Sequence, residues 1–300
     1  MMKHLFSLAA SLGAIGASIV SQKSARGTLT FTYSPNITRV TISNPPINVF
    51  DANLASDLLE FLLSIQPSNT MPLSPPKVVI LASADADFFI PHIDLLSILP
   101  PQTAAKTAFL DSCTQVTALL RNTTTTVFIT EIDGRASGIG DEILLQTDLR
   151  FAGPGARLSQ LETAVGVFPG GGGMKALPSQ ISRARALQYA LTNEAVGGAK
   201  AADLGWVNGY FDSKETLRMG VDEVARKIAL RPAGALEGAK RALPRLYPHE
   251  AEYEDDLKKF SDLAGSEETA ALVKGYIELS ENQTRGWFEL GVPESLEELF

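Results

Sequence analysis

The chain has 300 residues, 45% of them apolar, and a formal net charge of −8. That length allows one large domain or two small ones around a sizeable core, and the acidic balance excludes a chain built to grip nucleic-acid phosphates, which need a concentrated basic face. A single cysteine, Cys113, excludes an intrachain disulfide and a thiolate zinc site; with three scattered histidines (His4, His92, His249) that lack ligand spacing, no metal is expected.

Residues 1–26 open with a short basic start, an apolar stretch from Leu5 to Val20 and then small and polar residues. This is the layout of a secretory signal; a mitochondrial leader and a tail that addresses nothing are the alternatives. The apolar run is diluted by Gly and Ser and falls short of the roughly 20 residues of a membrane span, so no stable span is expected.

From residue 28 the chain carries two alternating β-branched runs, TLTFTYSP and ITRVTISNPP, which read as a hairpin. Asp51 or Asn53 then caps a helix whose Leu54, Leu58, Leu59, Leu62 and Leu63 keep helical spacing. Residues 66–76 are a Pro-rich loop. KVVILAS, a continuous apolar run, reads as a strand buried on both faces. A helix is expected from Thr103 to Arg121, and a strand in TTVFITEIDG that leads directly into RASGIGDE. Short strands in DLRFAGPGARLSQLE precede VGVFPGGGGMKALPSQI, a glycine-rich turn into a helix. Residues 183–204 read as helix, GWVNGYF as a last strand, and the chain from Asp212 as helical nearly to its end. Strands alternating with helices predict an α/β core over 27–228, followed by a helical region over 229–300.

Three loops attract chemistry: FIPHIDL (89–95), SGIGDE (137–142) and QLETAVGVFPGGGG (160–173). The first peptide N–H groups of a helix have no intrahelical acceptor, and the helix dipole adds positive potential there. Two such groups from separate loops can converge on one oxygen. Glu142 and Glu162 add carboxylates beside apolar walls, where one can serve as acid and the other as base. Together these are equipment for moving a proton at a carbon next to a carbonyl.

In order and spacing, the segments NPPINVFD, VVILAS, FIPHIDL, GRASGIGDEILLQTDLRFAG, LSQLETAVGVFPGGGGMKALP, LTNEAVGGAKAADLGWVN and EGAKRAL resemble the enoyl-CoA hydratase/isomerase (crotonase) superfamily, from about residue 28 to residue 280. The resemblance implies a crotonase-like spiral of ββα units with a C-terminal helical region, assembled as a homotrimer or hexamer. It implies an acyl-CoA thioester substrate, with no metal and no organic cofactor. By position, the backbone N–H groups of Ile93 and Ile139 would hold the thioester enolate. Glu142 would help to activate water, and Glu162 would exchange a proton with the α-carbon. Keeping both carboxylates favours hydration of a 2-enoyl-CoA; a Δ3,Δ2-enoyl-CoA isomerase and a non-catalytic member of the fold are the alternatives. Because CoA esters are intracellular, the resemblance places the chain in the mitochondrion, peroxisome or cytoplasm, against the secretory look of its first residues.

The sequence departs from the family pattern at both donor loops. Pro91, His92 and Ile93 replace small residues in the first, and Ile139 interrupts a run of glycines in the second, where the freedom of glycine in φ is lost. The acyl pocket is therefore expected to be reshaped for a particular substrate. His92 lacks a visible orienting partner and reads as structural or as lying near the surface by the CoA. Glu131 is expected to pair with Arg135 or to sit at a strand edge. Asp141 should diverge from Glu142 and favour the helix N-terminus. Trp206, Phe88 and Phe89 read as core.

Overall fold

The alternating runs pair as their pattern requires. In the computed structural model, which describes residues 20–67, 75–243 and 250–300, β1 (Val20–Lys23) lies antiparallel to β2 (Leu29–Ser34), which forms the hairpin with β3 (Ile37–Ile42). The sheet thus begins inside residues 1–26. Its edge is pinned by buried Asp57, which accepts from Ser24 Oγ (2.6 Å), Thr28 Oγ1 (2.8 Å) and Arg26 Nη1 (3.1 Å). Asp57 belongs to α1 (Ala52–Ser64), and Asp51 caps that helix by accepting from the Asn53 and Leu54 amides. His4, His249 and residues 5–19 lie outside the described residues, as do residues 68–74 of the Pro-rich loop.

Three ββα units follow. The first is β4 (Val78–Ser83), β5 (Phe88–Ile90) and α2 (Ala104–Asn122); the second is β6 (Val127–Ile132), β7 (Arg135–Ser137) and α3 (Ile139–Leu145). The third begins with β8 (Leu149–Ala152) and β9 (Arg157–Ser159) and ends in α4 (Gly173–Ile181). In each unit the longer strand joins one sheet and the three-residue strand a second. The large sheet runs β1-β2-β3-β4-β6-β8 and closes on β11 (Gly209–Tyr210); the small one runs β5-β7-β9 and closes on β10 (Val196–Gly197). Strand β7 was not expected: the chain turns at Asp133 and Gly134 before the glycine-rich loop, and a Cβ on Gly134 would lie 2.8 Å from the Phe88 amide nitrogen.

The remaining helices are α5 (Arg183–Thr192), α6 (Gly198–Leu204), α7 (Lys214–Ala229), α8 (Ala233–Ala242), α9 (Glu250–Ala264), α10 (Glu267–Leu279) and α11 (Trp287–Gly291). The single helix expected over 183–204 is broken at Asn193, which adopts φ +57° and donates its side-chain amide to Gln160 O and Thr163 Oγ1. The last expected strand shrinks to two residues.

Both faces of β4 are covered. Val79 and Leu81 pack in the cluster with α1 and α2, while Val78 and Ile80 meet Leu217, Val221 and Ala225 of α7. Each such side chain contributes about 1.5–3 kcal/mol when fully buried. Glu131 pairs with Arg39 at 2.8 Å and stands 3.8 Å from Arg218 of α7, so neither expectation for it holds. Arg135 instead donates to the Leu290 carbonyl and lies over the Phe88 ring. Trp206, Phe88 and Phe89 are wholly buried, as expected. A third apolar cluster joins Leu95, Ile98, Leu161 and Val165 to Val273, Tyr276, Phe288 and Leu296, so the C-terminal segment is packed against the loops that follow the small sheet.

Candidate active site

The three short strands explain why distant loops meet. β5, β7 and β9 are parallel, with Ile90 opposite Ala136 and Ala136 opposite Leu158. Their C-terminal ends therefore lie side by side, and the loops carrying Ile93, Ile139 and Glu162 leave from the same edge. Ile93, Ile139, Glu142 and Glu162 all line one cavity of about 210 Å³. Its apolar walls include Leu95, Ile98, Leu110, Val165, Val167 and Phe260, and Cys113 and Thr117 of α2 also face it. Burial pushes the Cys113 thiol up, so it is not a ready nucleophile.

The first loop forms a one-residue parallel bridge with Phe50. The Phe50 amide donates to His92 O at 2.9 Å, and the Asp94 amide donates to Phe50 O at 3.1 Å. In a trans peptide the C=O and N–H point in opposite directions. The His92 carbonyl faces Phe50, so the Ile93 N–H faces away from it.

Ile139 opens α3. Gly138, with φ +52° and ψ −125°, takes the backbone into a conformation that L side chains rarely adopt, and Ile139 begins the helix. The loss of glycine freedom expected to matter at residue 139 thus falls one position away: Ile139 itself is helical. Its N–H belongs to the first turn, which has no intrahelical acceptor. The helix can begin there because Gly140 lies against the end of β5; a Cβ on it would overlap the Ile90 carbonyl, 2.9 Å from the carbon.

The two carboxylates are held differently. Glu142 Oε1 accepts from the Gly173 amide at 2.8 Å, and the Gly171 and Gly172 amides also favour its charge. These are the amides that open α4, an anion-holding arrangement. The contact needs glycine, since a Cβ on Gly171 would come within 2.6 Å of Oε2. Burial raises the Glu142 pKa to about 7, the amides limiting the rise. Glu162 opens a 3-10 turn, Glu162–Val165. Its Oε2 is buried without a hydrogen-bond partner among the described residues. Burial, and then the neighbouring Glu142 charge, push it well above the usual carboxylate range. Burial thus favours the neutral form of both groups, and each charge opposes the other.

Asp141 does diverge from Glu142, but it is wholly buried rather than serving an exposed helix end. It accepts from Trp206 Nε1 at 2.9 Å and from Gln160 Nε2. Every residue of α3 is buried, so the helix has no solvated face on which a charge could rest. Burial lifts Asp141 to about 8.

His92 meets the structural half of its expectation and overturns the rest, since it lies away from the surface and has orienting partners. It is buried, its Nδ1 lies 2.8 Å from Ile93 O, and its Nε2 lies 3.1 Å from each oxygen of Glu289. Tyr276 Oη donates to the same carboxylate at 3.2 Å and its ring stands edge-on to the imidazole. Burial, the largest single influence, lowers the His92 pKa; the Glu289 charge and hydrogen bond, the Ile93 carbonyl and the Asp94 charge together outweigh it, and the net shift is upward. Glu289 lies 197 residues away, beyond any local spacing rule. The α4 amides, Tyr276 and Glu289 were all missed from the sequence. Among the described residues there is no cluster of His, Cys, Asp and Glu able to hold a metal, and no helix long and apolar enough to cross a membrane.

Comparison with known proteins agrees with this architecture. A putative enoyl-CoA hydratase from Streptomyces avermitilis superposes with TM-score 0.79 at 27% identity, covering 91% of this chain and 98% of that one. The chain is 33% identical over 115 residues to 2,3-dehydroadipyl-CoA hydratase of Escherichia coli K12, covering 38% of this chain and 45% of that protein. It is 32% identical over 117 residues to a peroxisomal Δ(3,5)-Δ(2,4)-dienoyl-CoA isomerase of Arabidopsis thaliana, covering 39% and 42%. The chain thus matches less than half the length of each of these two curated relatives. The model of the enoyl-CoA hydratase/isomerase family matches residues 32–287. With the spiral of ββα units and the match over most of its length, the chain belongs to the enoyl-CoA hydratase/isomerase family, within the crotonase superfamily.

Proposed function

We propose that the protein hydrates a 2-enoyl-CoA thioester, with no cofactor. The reading is supported by one observation: two differently held carboxylates, Glu142 and Glu162, share a cavity with Ile93 and Ile139. The thioester oxygen lies between those amides, and the acyl chain follows the apolar wall of Leu110, Val165 and Phe260. Glu142 takes a proton from water as its oxygen bonds to the β-carbon. The electrons of the double bond move onto the thioester oxygen as an enolate, which the two N–H groups stabilise. Glu162 then gives its proton to the α-carbon, and the carbonyl reforms. Each oxyanion donor is worth about 3–4 kcal/mol in the transition state. Assembly as a homotrimer or hexamer and an intracellular site, where CoA esters occur, belong to the same reading.

A second reading, double-bond isomerisation, is favoured by the unpaired Glu162 oxygen, since one carboxylate able to move a proton between carbons is enough for it. The test follows loss of the conjugated thioester absorbance of 2-enoyl-CoAs of several chain lengths. Glu162→Gln is expected to lower the rate by about 10²–10⁴-fold. Full activity in that variant removes Glu162 from the mechanism. Glu142→Gln separates the readings: it abolishes hydration but leaves isomerisation of a 3-enoyl-CoA largely intact.

A further inference from the structure

The Ile93 amide can serve as a donor only if both peptides that flank its Cα are fixed. Phe50 fixes one, by donating to the His92 carbonyl at 2.9 Å. The other is the Ile93–Asp94 peptide. Its N–H donates to Phe50 O, and its carbonyl accepts from His92 Nδ1 at 2.8 Å. A carbonyl oxygen only accepts, so Nδ1 carries a hydrogen. The ring cannot rotate away from this task, because Nε2 faces both oxygens of Glu289, and Tyr276 stands edge-on against it while bonding the same carboxylate. Both ring nitrogens are therefore occupied. His92 lines the cavity but has no free nitrogen to offer a substrate, which argues against a role as acid or base.

We propose that His92 is a positioning residue: by bonding the Ile93 carbonyl it sets the direction of the Ile93 N–H that receives the thioester oxygen, with Glu289 and Tyr276 of the C-terminal segment holding the ring in place. The proposal rests on the hydratase reading for the identity of the oxygen, but not for the geometry. It assigns a function to a residue where the family pattern has a small one, and it makes part of the C-terminal region a support for catalysis. The titratable groups facing the ring are Glu289 from α11, Tyr276 from α10 and Asp94 from its own loop.

Two amide variants separate this role from mere core filling. In His92→Asn the side-chain nitrogen overlays Nδ1 and keeps the bond to Ile93 O; in His92→Gln it overlays Nε2 and keeps the bond to Glu289. His92→Asn is expected to retain kcat within a few-fold, while His92→Gln loses about 10–100-fold, with KM moving less than about 3-fold in both; this is somewhat less than deletion of a donor outright. The reverse order, or equal losses that track thermal stability, overturns the proposal. A second readout needs no turnover. The Ile93 backbone ¹⁵N–¹H resonance should shift in His92→Gln and stay near the wild-type position in His92→Asn; an unmoved resonance in His92→Gln also overturns it. Wild-type protein inert towards every enoyl-CoA would end the hydratase reading, while the resonance test would still decide the role of His92.

Discussion

The Ile93 and Ile139 loops reach the same cavity by different construction. The Ile139 loop is held by close packing of backbone: Gly138 adopts the positive φ, Gly140 presses on the Ile90 carbonyl, and the Gly138 amide donates to Ser159 O at 3.0 Å. The Ile93 loop has its backbone bonds to Phe50 and, in addition, side-chain clamps from the far end of the chain, His92 to Glu289 and Gln283 to Asp94 and Leu95. Backbone packing leaves no room for substitution. Side-chain clamps can be changed one at a time, and each should degrade the site by degrees. The Glu142 and Glu162 carboxylates repeat the contrast, one fixed by backbone amides and the other left without a partner for one oxygen.

The largest expected effect is at the rigid loop. Gly140→Ala places a methyl into the Ile90 carbonyl, which is backbone of β5 and cannot swing aside as a side chain could. Either β5 or the start of α3 must move, and a clash of this kind costs several kcal/mol. The expected outcome is loss of most folded protein in a thermal melt, and little activity in what remains. A variant that melts within a few degrees of wild type and turns over normally would show that this loop has the same latitude as its counterpart.

Next comes the support beneath Glu142. Asp141 is raised to about 8 by burial, from an ordinary value of 3.8. A carboxyl raised in the folded state gives stability that is complete below the unfolded pKa and is lost as pH rises towards the folded one. Between about pH 5 and 7 this group alone lowers the unfolding free energy by about 1.4 kcal/mol per pH unit. Asp141→Asn keeps the shape and removes the titration, so its denaturant midpoint should fall less steeply with pH than that of wild type. Parallel curves for the two proteins would mean that Asp141 is ionised in the fold, and that the second loop is not a site where a proton is stored.

Much of this arrangement was legible in the letters. The hairpin, the Asp51 cap, the both-faces-buried β4 and the helix capped by Thr103 follow from alternation, cap chemistry and apolar runs. Ile93, Ile139, Glu142 and Glu162 line one cavity, and a glycine-rich turn into a helix leaves a local trace in the sequence. Most of the small sheet was not legible: β9 falls within the short strands expected in DLRFAGPGARLSQLE, but β5 and β7 have three residues each, too few to display a period. Asp141 was misplaced because divergence at i and i+1 gives a direction but no burial, and α3 is buried all round. The clamps from Gln283 and Glu289 join residues nearly 190 or more positions apart, which no spacing rule reaches.

The smallest effect separates the two kinds of loop most cleanly. Gln283 is buried; its Oε1 accepts from the Leu95 amide at 2.9 Å and its Nε2 donates to Asp94 Oδ1 at 2.9 Å. Gln283→Ala leaves a buried N–H without its acceptor, at a cost of about 1–3 kcal/mol. Because residue 283 already has φ +61°, alanine adds no new backbone strain there. The loss should be local: faster hydrogen exchange at Leu95, a fall in kcat of no more than about 10-fold, an almost unchanged KM and no change at the Ile139 loop. If exchange rises equally at residues 138–142, the two loops move as one body and their different construction has no mechanical consequence. If only the first loop loosens, the oxyanion site has one fixed donor and one adjustable one, and the adjustable donor answers to the C-terminal segment.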